Sequence, residues 1–194
     1  MMEEHAYSVL LVSASESFNE SLLALLRAFG CAVVKTVDNI SAAKRASAER
    51  VYDFVIVNTP LPDDMGVRFA VDVCTAGDSV VLLLVRNELH DEIRGKVTAH
   101  GVFTLAKPVS KPMMRISLGW MASVRERLRK AEKKAVSIEE KMAEIRLVNR
   151  AKWALIEQEG MTETEAHRFI EKRAMDRCVP RRTIAEEILN QIKT

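Results

Sequence analysis

Asn58, Lys107 and the adjacent Ser13 and Ala14 each stand just past a short apolar, valine-rich run, where a parallel α/β sheet displays its functional groups. A lysine beside an amide can hydrogen-bond Asn58 and nearby backbone carbonyls and so hold a loop closed. Together with Arg86, which follows a further apolar run ending at Val85, Lys107 could instead form an anion-binding notch for a small ligand or a partner carboxylate. Asp63 and Asp64 are adjacent in a loop, where aspartates mostly form turns. His5, His90, His100 and His167 are scattered, and Cys31, Cys74 and Cys178 are far apart with no two-residue spacing. With no Ser-His-Asp grouping, metal-ligand spacing or phosphate-binding glycine loop, neither a catalytic residue nor a metal nor a cofactor is expected. The cysteines read as free thiols that pack.

A second concentration of chemistry is basic. Residues 112–194 carry 18 Lys+Arg against 13 Asp+Glu, whereas residues 1–111 carry 11 against 14, so the formal net charge of +2 hides an asymmetry. Arg146, Arg150, Lys152, Arg168, Lys172, Arg173, Arg177, Arg181 and Arg182 supply most of the local positive charge, with Trp153 among them. Cationic groups beside an aromatic plane suit a polyanion with unstacked bases, although such charges also occur on ordinary solvated helix faces.

These groups need elements to position them. The runs Val9–Val12, Ala32–Val34, Phe54–Val57, Val80–Val85 and Val102–Leu105 alternate with helical spacing at Leu22–Phe29, Ile40–Ala48, Val67–Val73 and around Ile93 and Val97. Five buried strands alternating with helices predict a five-stranded parallel, doubly wound α/β domain. The 48% hydrophobic content is that of a globular protein. No apolar run is long enough to span a bilayer, and Glu3 and Glu4 stand where a secretion signal would be basic, so a cytoplasmic protein without membrane contact is expected.

The order and spacing over about residues 7 to 120 resemble the receiver domain of bacterial response regulators. The marks are Asn58 with Pro62 four and Gly66 eight residues on, and Lys107 followed by Pro108. In that family two acidic residues hold Mg²⁺, an aspartate accepts the phosphoryl group and a hydroxyl residue binds its oxygen. The resemblance sets Ser13 and Ala14 at the acidic pair, Asn58 at the acceptor and Val85 at the hydroxyl position. A neutral amide cannot serve as the carboxylate nucleophile, and a serine with a methyl group cannot hold a hard divalent cation. Of the active set only Lys107 is retained, which implies a pseudo-receiver, residues 1–118, outside phosphorylation control.

Between Pro112 and Gly160 the chain has one glycine and no proline, predicting a helix about 70 Å long. Met121, Val124, Leu128, Ala131, Ala135, Ile138, Met142 and Ile145 follow alternating three- and four-residue steps with charged flanks including Arg125 and Arg129. This is a coiled-coil seam whose simplest partner is a second copy, and it places a linker helix over residues 119–145. Ala131 and Ala135 bury little apolar surface, so the seam is weak. The other reading packs this stripe back on the chain's own sheet or C-terminal helices. Past Ile145, Val148, Ala151 and Leu155 continue on a rotated face.

Gly160 supplies a helix stop, and Thr162 with Glu165 reads as a capping box for a helix to Asp176 with Ala166, Phe169, Ile170 and Met175 inward. Pro180 opens a third helix with Ile184, Ala185, Ile188, Leu189 and Ile192 on its apolar face. Arg150, Ala151 and Lys152, then Leu155, Met161, Thr162, Glu163, Glu165 with Ala166, Ala174 with Met175, and Ala185 with Ile188 resemble the ANTAR domain, here residues 138–194. Trp153 departs from the glycine usual after the Ala-Lys pair. The resemblance implies a three-helix RNA-binding module and the arrangement receiver, coiled coil, ANTAR. It implies an antitermination regulator that binds, as a homodimer, tandem hairpins in a nascent transcript; because the receiver chemistry is absent, control is expected from a regulatory protein or small ligand on the pseudo-receiver, or from protein concentration. A DNA-binding helix-turn-helix output and a protein-interaction adaptor are the alternatives.

Overall fold

The computed structural model of the protein describes residues 6–192; Glu3, Glu4 and His5 lie outside the described residues, as does the side chain of Ile192. The chain divides into two compact units, Met1–Arg129 and Lys130–Thr194. Among the described residues no helix is long and apolar enough to cross a membrane.

The first unit follows the predicted alternation: β1 (Tyr7–Val12), α1 (Glu16–Ala28), β2 (Cys31–Val37), α2 (Ile40–Glu49), β3 (Phe54–Asn58), α3 (Val67–Thr75), β4 (Val80–Arg86), α4 (Asn87–Val97), β5 (Phe103–Lys107) and the start of α5 (Lys111–Glu159). All strand pairs are parallel, in the order β2-β1-β3-β4-β5. Because side chains alternate along a strand, Leu10, Val12, Val55, Val57, Leu83 and Val85 pack against α2, α3 and α4. Val9, Leu11, Phe54, Ile56, Leu82 and Leu84 pack on the opposite face against α1 and α5. Burial on both faces is why these strands read as continuous apolar runs.

Gly66 opens α3 with φ +73, and a Cβ there would lie 2.8 Å from Val57 Cγ1. Both the backbone and the space therefore call for glycine. Asp63 caps α2, its carboxylate accepting from Ile40 N at 2.9 Å and Ser41 N at 3.0 Å, and the Ile40 amide leads in holding its pKa below the ordinary value. Asp64 accepts from Gly66 N at 2.6 Å, so both aspartates shape the loop.

The start of α5 belongs to the first core. Met114, Leu118 and Met121 are buried there, with Val124 and Leu128 partly buried against them. This corrects the expected seam at its first three positions: Met121, Val124 and Leu128 meet the chain's own sheet. The boundary expected at 118 falls inside this unit. Arg125 and Arg129, expected as flanks of the seam, turn inward to Asp53, with Arg125 Nε 3.0 Å and Arg129 Nη2 2.8 Å from Oδ1. Ser8 donates to Oδ2 from its amide at 2.9 Å and its hydroxyl at 3.0 Å. The Arg129 guanidinium also lies over the Tyr7 ring, 5.4 Å from its centroid. Burial would raise the Asp53 pKa, but the Ser8 amide, Arg125, the Ser8 hydroxyl and the charge of Arg129 together bring it below the ordinary value.

In the second unit, α5 continues with α6 (Glu163–Asp176) and α7 (Arg181–Ile192). Val148, Ala151 and Leu155 meet Ala166, Ile170 and Ala174 of α6 and Ile184, Ala185 and Ile188 of α7 in one core. Gly160, φ +65, follows the end of α5, and both halves of the Thr162–Glu165 capping box form. Phe169 and Leu189 are only partly buried. Met175, expected inward, is 76% exposed; Ala174 takes the core position beside it. Of the cysteines, Cys31 is buried, its thiol pushed up to about 11 by burial and then by Asp53. Cys178, expected to pack, is exposed in the α6–α7 turn with φ 51.

Asp53→Asn removes the carboxylate that Arg125 and Arg129 share, leaving Arg129 its second contact with Glu126 at 2.8 Å, and is expected to lower the unfolding free energy by about 1–3 kcal/mol. Because the folded pKa is depressed, this contribution is complete above the unfolded carboxylate value, about 3.9, and is lost as pH falls through the folded one. Denaturant titrations of wild type and variant should diverge at neutral pH and converge in acid.

Candidate functional site

At the carboxyl ends of β1, β3 and β5 the expected residues do come together. Asn58 donates from Nδ2 to Ser13 Oγ at 3.0 Å and accepts at Oδ1 from Lys107 Nζ, also at 3.0 Å. Lys107 donates in addition to the Thr59 carbonyl. The Ser13 hydroxyl accepts from Ser15 N at 3.3 Å, and Thr59 Oγ1 donates to the Leu84 carbonyl at 3.0 Å. Ser13, Asn58 and Thr59 are buried. Burial, then the charge of Arg86, lowers the Lys107 pKa from its ordinary value. Ala14 brings no polar side chain, and Val85 is buried in the core. A neutral amide thus bridges a hydroxyl to an ammonium group. Among the described residues no group of three or more His, Cys, Asp or Glu could hold a metal ion.

The basic residues of the second unit divide into two sets. Lys152 pairs with Glu163 at 3.1 Å and its side chain is only 15% exposed. Arg177 makes a two-pronged pair with Glu187, one prong at 2.8 Å, and Arg182 meets Glu186 at 2.9 Å. Arg181 lies 3.5 Å from Glu171 and 3.9 Å from Glu144. Arg173 stacks over Phe169, 5.5 Å from the ring centroid. Arg146 and Arg150 are exposed on α5 and form no ion pair with any described residue, and Trp153 is 64% exposed. Spaced by four and then three residues, these three share one helix face. Their side chains point away from the core face of Val148, Ala151 and Leu155.

Sequence reasoning missed Asp53, Arg125 and Arg129 as a cluster. The available signal was the four-residue spacing of the two arginines beside the apolar positions Met121 and Leu128, which places all of them toward one side of a helix.

A five-stranded parallel α/β domain of receiver-like fold continues through a long helix into a three-helix module. Residues 137–189 match the ANTAR domain family, so the second unit carries an ANTAR domain. The transcriptional regulatory protein PdtaR of Mycobacterium tuberculosis (strain ATCC 25618 / H37Rv) is 24% identical over 186 residues, covering 96% of this chain and 91% of the relative. The aliphatic amidase regulator of Pseudomonas aeruginosa (strain PAO1) is 31% identical over 111 residues, 57% of this chain and 50% of that protein. A response regulator receiver domain protein from Clostridium thermocellum, 18% identical, has the same fold with a TM-score of 0.56 over 63% of this chain and 98% of its own.

The bonds made by Lys107 have a measurable consequence for stability. Lys107→Met leaves Asn58 Oδ1 and the Thr59 carbonyl without this donor, and is expected to reduce the unfolding free energy by about 1–3 kcal/mol in denaturant melts.

Proposed function

We propose that this protein is an RNA-binding transcription antitermination regulator that acts in the cytoplasm as a dimer. The observation that carries this reading is the Arg146–Arg150–Trp153 face, an exposed aromatic plane with two unpaired guanidinium groups inside the segment that matches the ANTAR family. Single-stranded RNA loops are bound by neutralising phosphates and stacking unpaired bases on aromatic planes, and this face offers both. In the cell its target is a pair of hairpins in a nascent transcript, and holding them lets the polymerase continue. Lys152, Arg177, Arg181 and Arg182 are compensated by carboxylates of the same unit, so their part is to set the local field rather than to make the first contact.

The receiver-like domain, in this reading, is a pseudo-receiver. The Ser13–Asn58–Lys107 chain satisfies its own hydrogen bonds, and its central group is an amide. Control then enters through a regulatory protein, a small ligand on that domain, or protein concentration. Incubation with acetyl phosphate and Mg²⁺ should leave both intact mass and sedimentation unchanged; a stable phosphoryl adduct would overturn the pseudo-receiver assignment.

Titration of the full chain against hairpin RNA and duplex DNA at matched salt tests the output. RNA should be preferred, and Trp153→Ala should weaken RNA binding by about 1–3 kcal/mol. Arg150→Ala should weaken it across loop sequences and lower the salt slope by about one phosphate contact. A preference for duplex DNA would favour a helix-turn-helix output, and no nucleic-acid affinity would favour an adaptor.

A further inference from the structure

Among α5, α6 and the start of α7 in the second unit lies a recess of about 160 Å³. Ile145 and Val148 give it an apolar lining, and Asn149, Lys152, His167, Arg181 and Glu144 a polar one. Its cations already have carboxylate partners. Lys152 pairs with Glu163 at 3.1 Å, Arg181 lies 3.5 Å from Glu171 and 3.9 Å from Glu144, and His167 Nε2 is 3.2 Å from Glu171 Oε1. Asn149 differs from them: it is exposed, and its amide forms no hydrogen bond with any described residue. An amide carries both donors and an acceptor, and here they stand beside an apolar lining and an imidazole ring. Asn149 also lies three residues after Arg146 and four before Trp153, so it adjoins their exposed face on the same helix.

We propose that this recess receives one unpaired purine base of the bound RNA, with the Asn149 amide hydrogen-bonding the edge of the base and the His167 ring and the Ile145–Val148 lining covering its faces. The inference rests on the RNA-binding reading above and adds the place where a base is read, since the Arg146–Arg150–Trp153 face supplies only phosphate neutralisation and stacking. A neutral planar ring suits a lining whose charges are balanced, whereas a phosphate needs cations that are not already answered. An amide sets a donor and an acceptor side by side, the pattern by which asparagine grips N6 and N7 of adenine. A purine offers that N7 edge in addition to its pairing edge; a pyrimidine lacks it, and its single ring covers less of the apolar lining. Glu171 holds both His167 and Arg181, which orients the imidazole ring on one side of the recess. A base stacked on Trp153 and a neighbouring base in the recess occupy adjoining faces of one stretch of helix, so a single strand can reach both.

Equal-length oligoadenylate and oligouridylate carry the same phosphate charge, so titrating the full chain with each at one salt concentration isolates the contribution of the base. The wild-type chain should prefer oligoadenylate on the order of tenfold, and Asn149→Ala should bring oligoadenylate down to the oligouridylate level. His167→Ala, which keeps the amide, should also narrow the preference, whereas Trp153→Ala should weaken both ligands. An Asn149→Ala chain that keeps the wild-type preference, or that loses affinity for both oligonucleotides alike, would overturn the base site while leaving the RNA-binding reading intact. Absence of binding to both oligonucleotides and to hairpin RNA would overturn the RNA-binding reading itself.

Discussion

Asp53 gathers two guanidinium groups, a backbone amide and a hydroxyl around one largely buried carboxylate. Taking a carboxylate and two cations out of water is costly, and the arrangement holds because nearly every lone pair and charge is answered. The consequence reaches along α5. Arg125 and Arg129 are committed to the sheet, so the stretch that carries them is part of the first core, and the compact unit ends at Arg129. The same rotation that aims these arginines inward sends Met121 fully into the apolar layer and seats Val124 and Leu128 against it. An ionic contact and a hydrophobic one thus fix the same helix face.

From that root onward α5 changes what its faces do. Next comes a stretch exposed on all sides from Lys130 to Ala143, and then a segment whose inner face completes a three-helix core with small residues from its neighbours. Ala151, Ala166, Ala174 and Ala185 let the three helices approach closely, and Ile170, Ile184 and Leu155 fill the remaining space. The exposed stripe of Ile138, Met142 and Ile145 is the part of this helix that nothing within its own unit satisfies. Its aliphatic area, at about 25 cal/mol per Å² when covered, is a modest driving force for burial.

At the strand ends of the receiver-like domain, each polar group is placed by packing and hydrogen bonding. Gly66 is required by a left-handed backbone and by contact with Val57, whatever the loop does chemically. Lys107 has donors to place and finds an amide oxygen and a backbone carbonyl. Packing and hydrogen bonding account for both residues, and the strand ends around them bear serine, alanine, asparagine and valine. The charge logic is coherent: a neutral amide bridges the Ser13 hydroxyl and the Lys107 ammonium group.

The sequence by itself determined the alternation of strands and helices, because strands buried on both faces must be continuous apolar runs and helices must show their own period. It also determined the Thr162–Glu165 cap and the contact of Lys107 with Asn58, since both depend on short spacings or on strand ends that a parallel sheet brings together. Only the tertiary structure decided which surface covers each part of the apolar stripe on α5. A heptad pattern reports that Met121, Leu128, Ile138 and Ile145 share a stripe, but a sheet and a second helix bury such a stripe equally well. Likewise, the basic composition could not separate Arg177 and Arg181, neutralised by Glu187 and Glu171, from Arg146 and Arg150, which face water. Ion pairing between helices depends on where the chain turns, and so does the exposure of Trp153 and Met175. These are properties of the packed arrangement, fixed only when the faces of three helices have been assigned to one another.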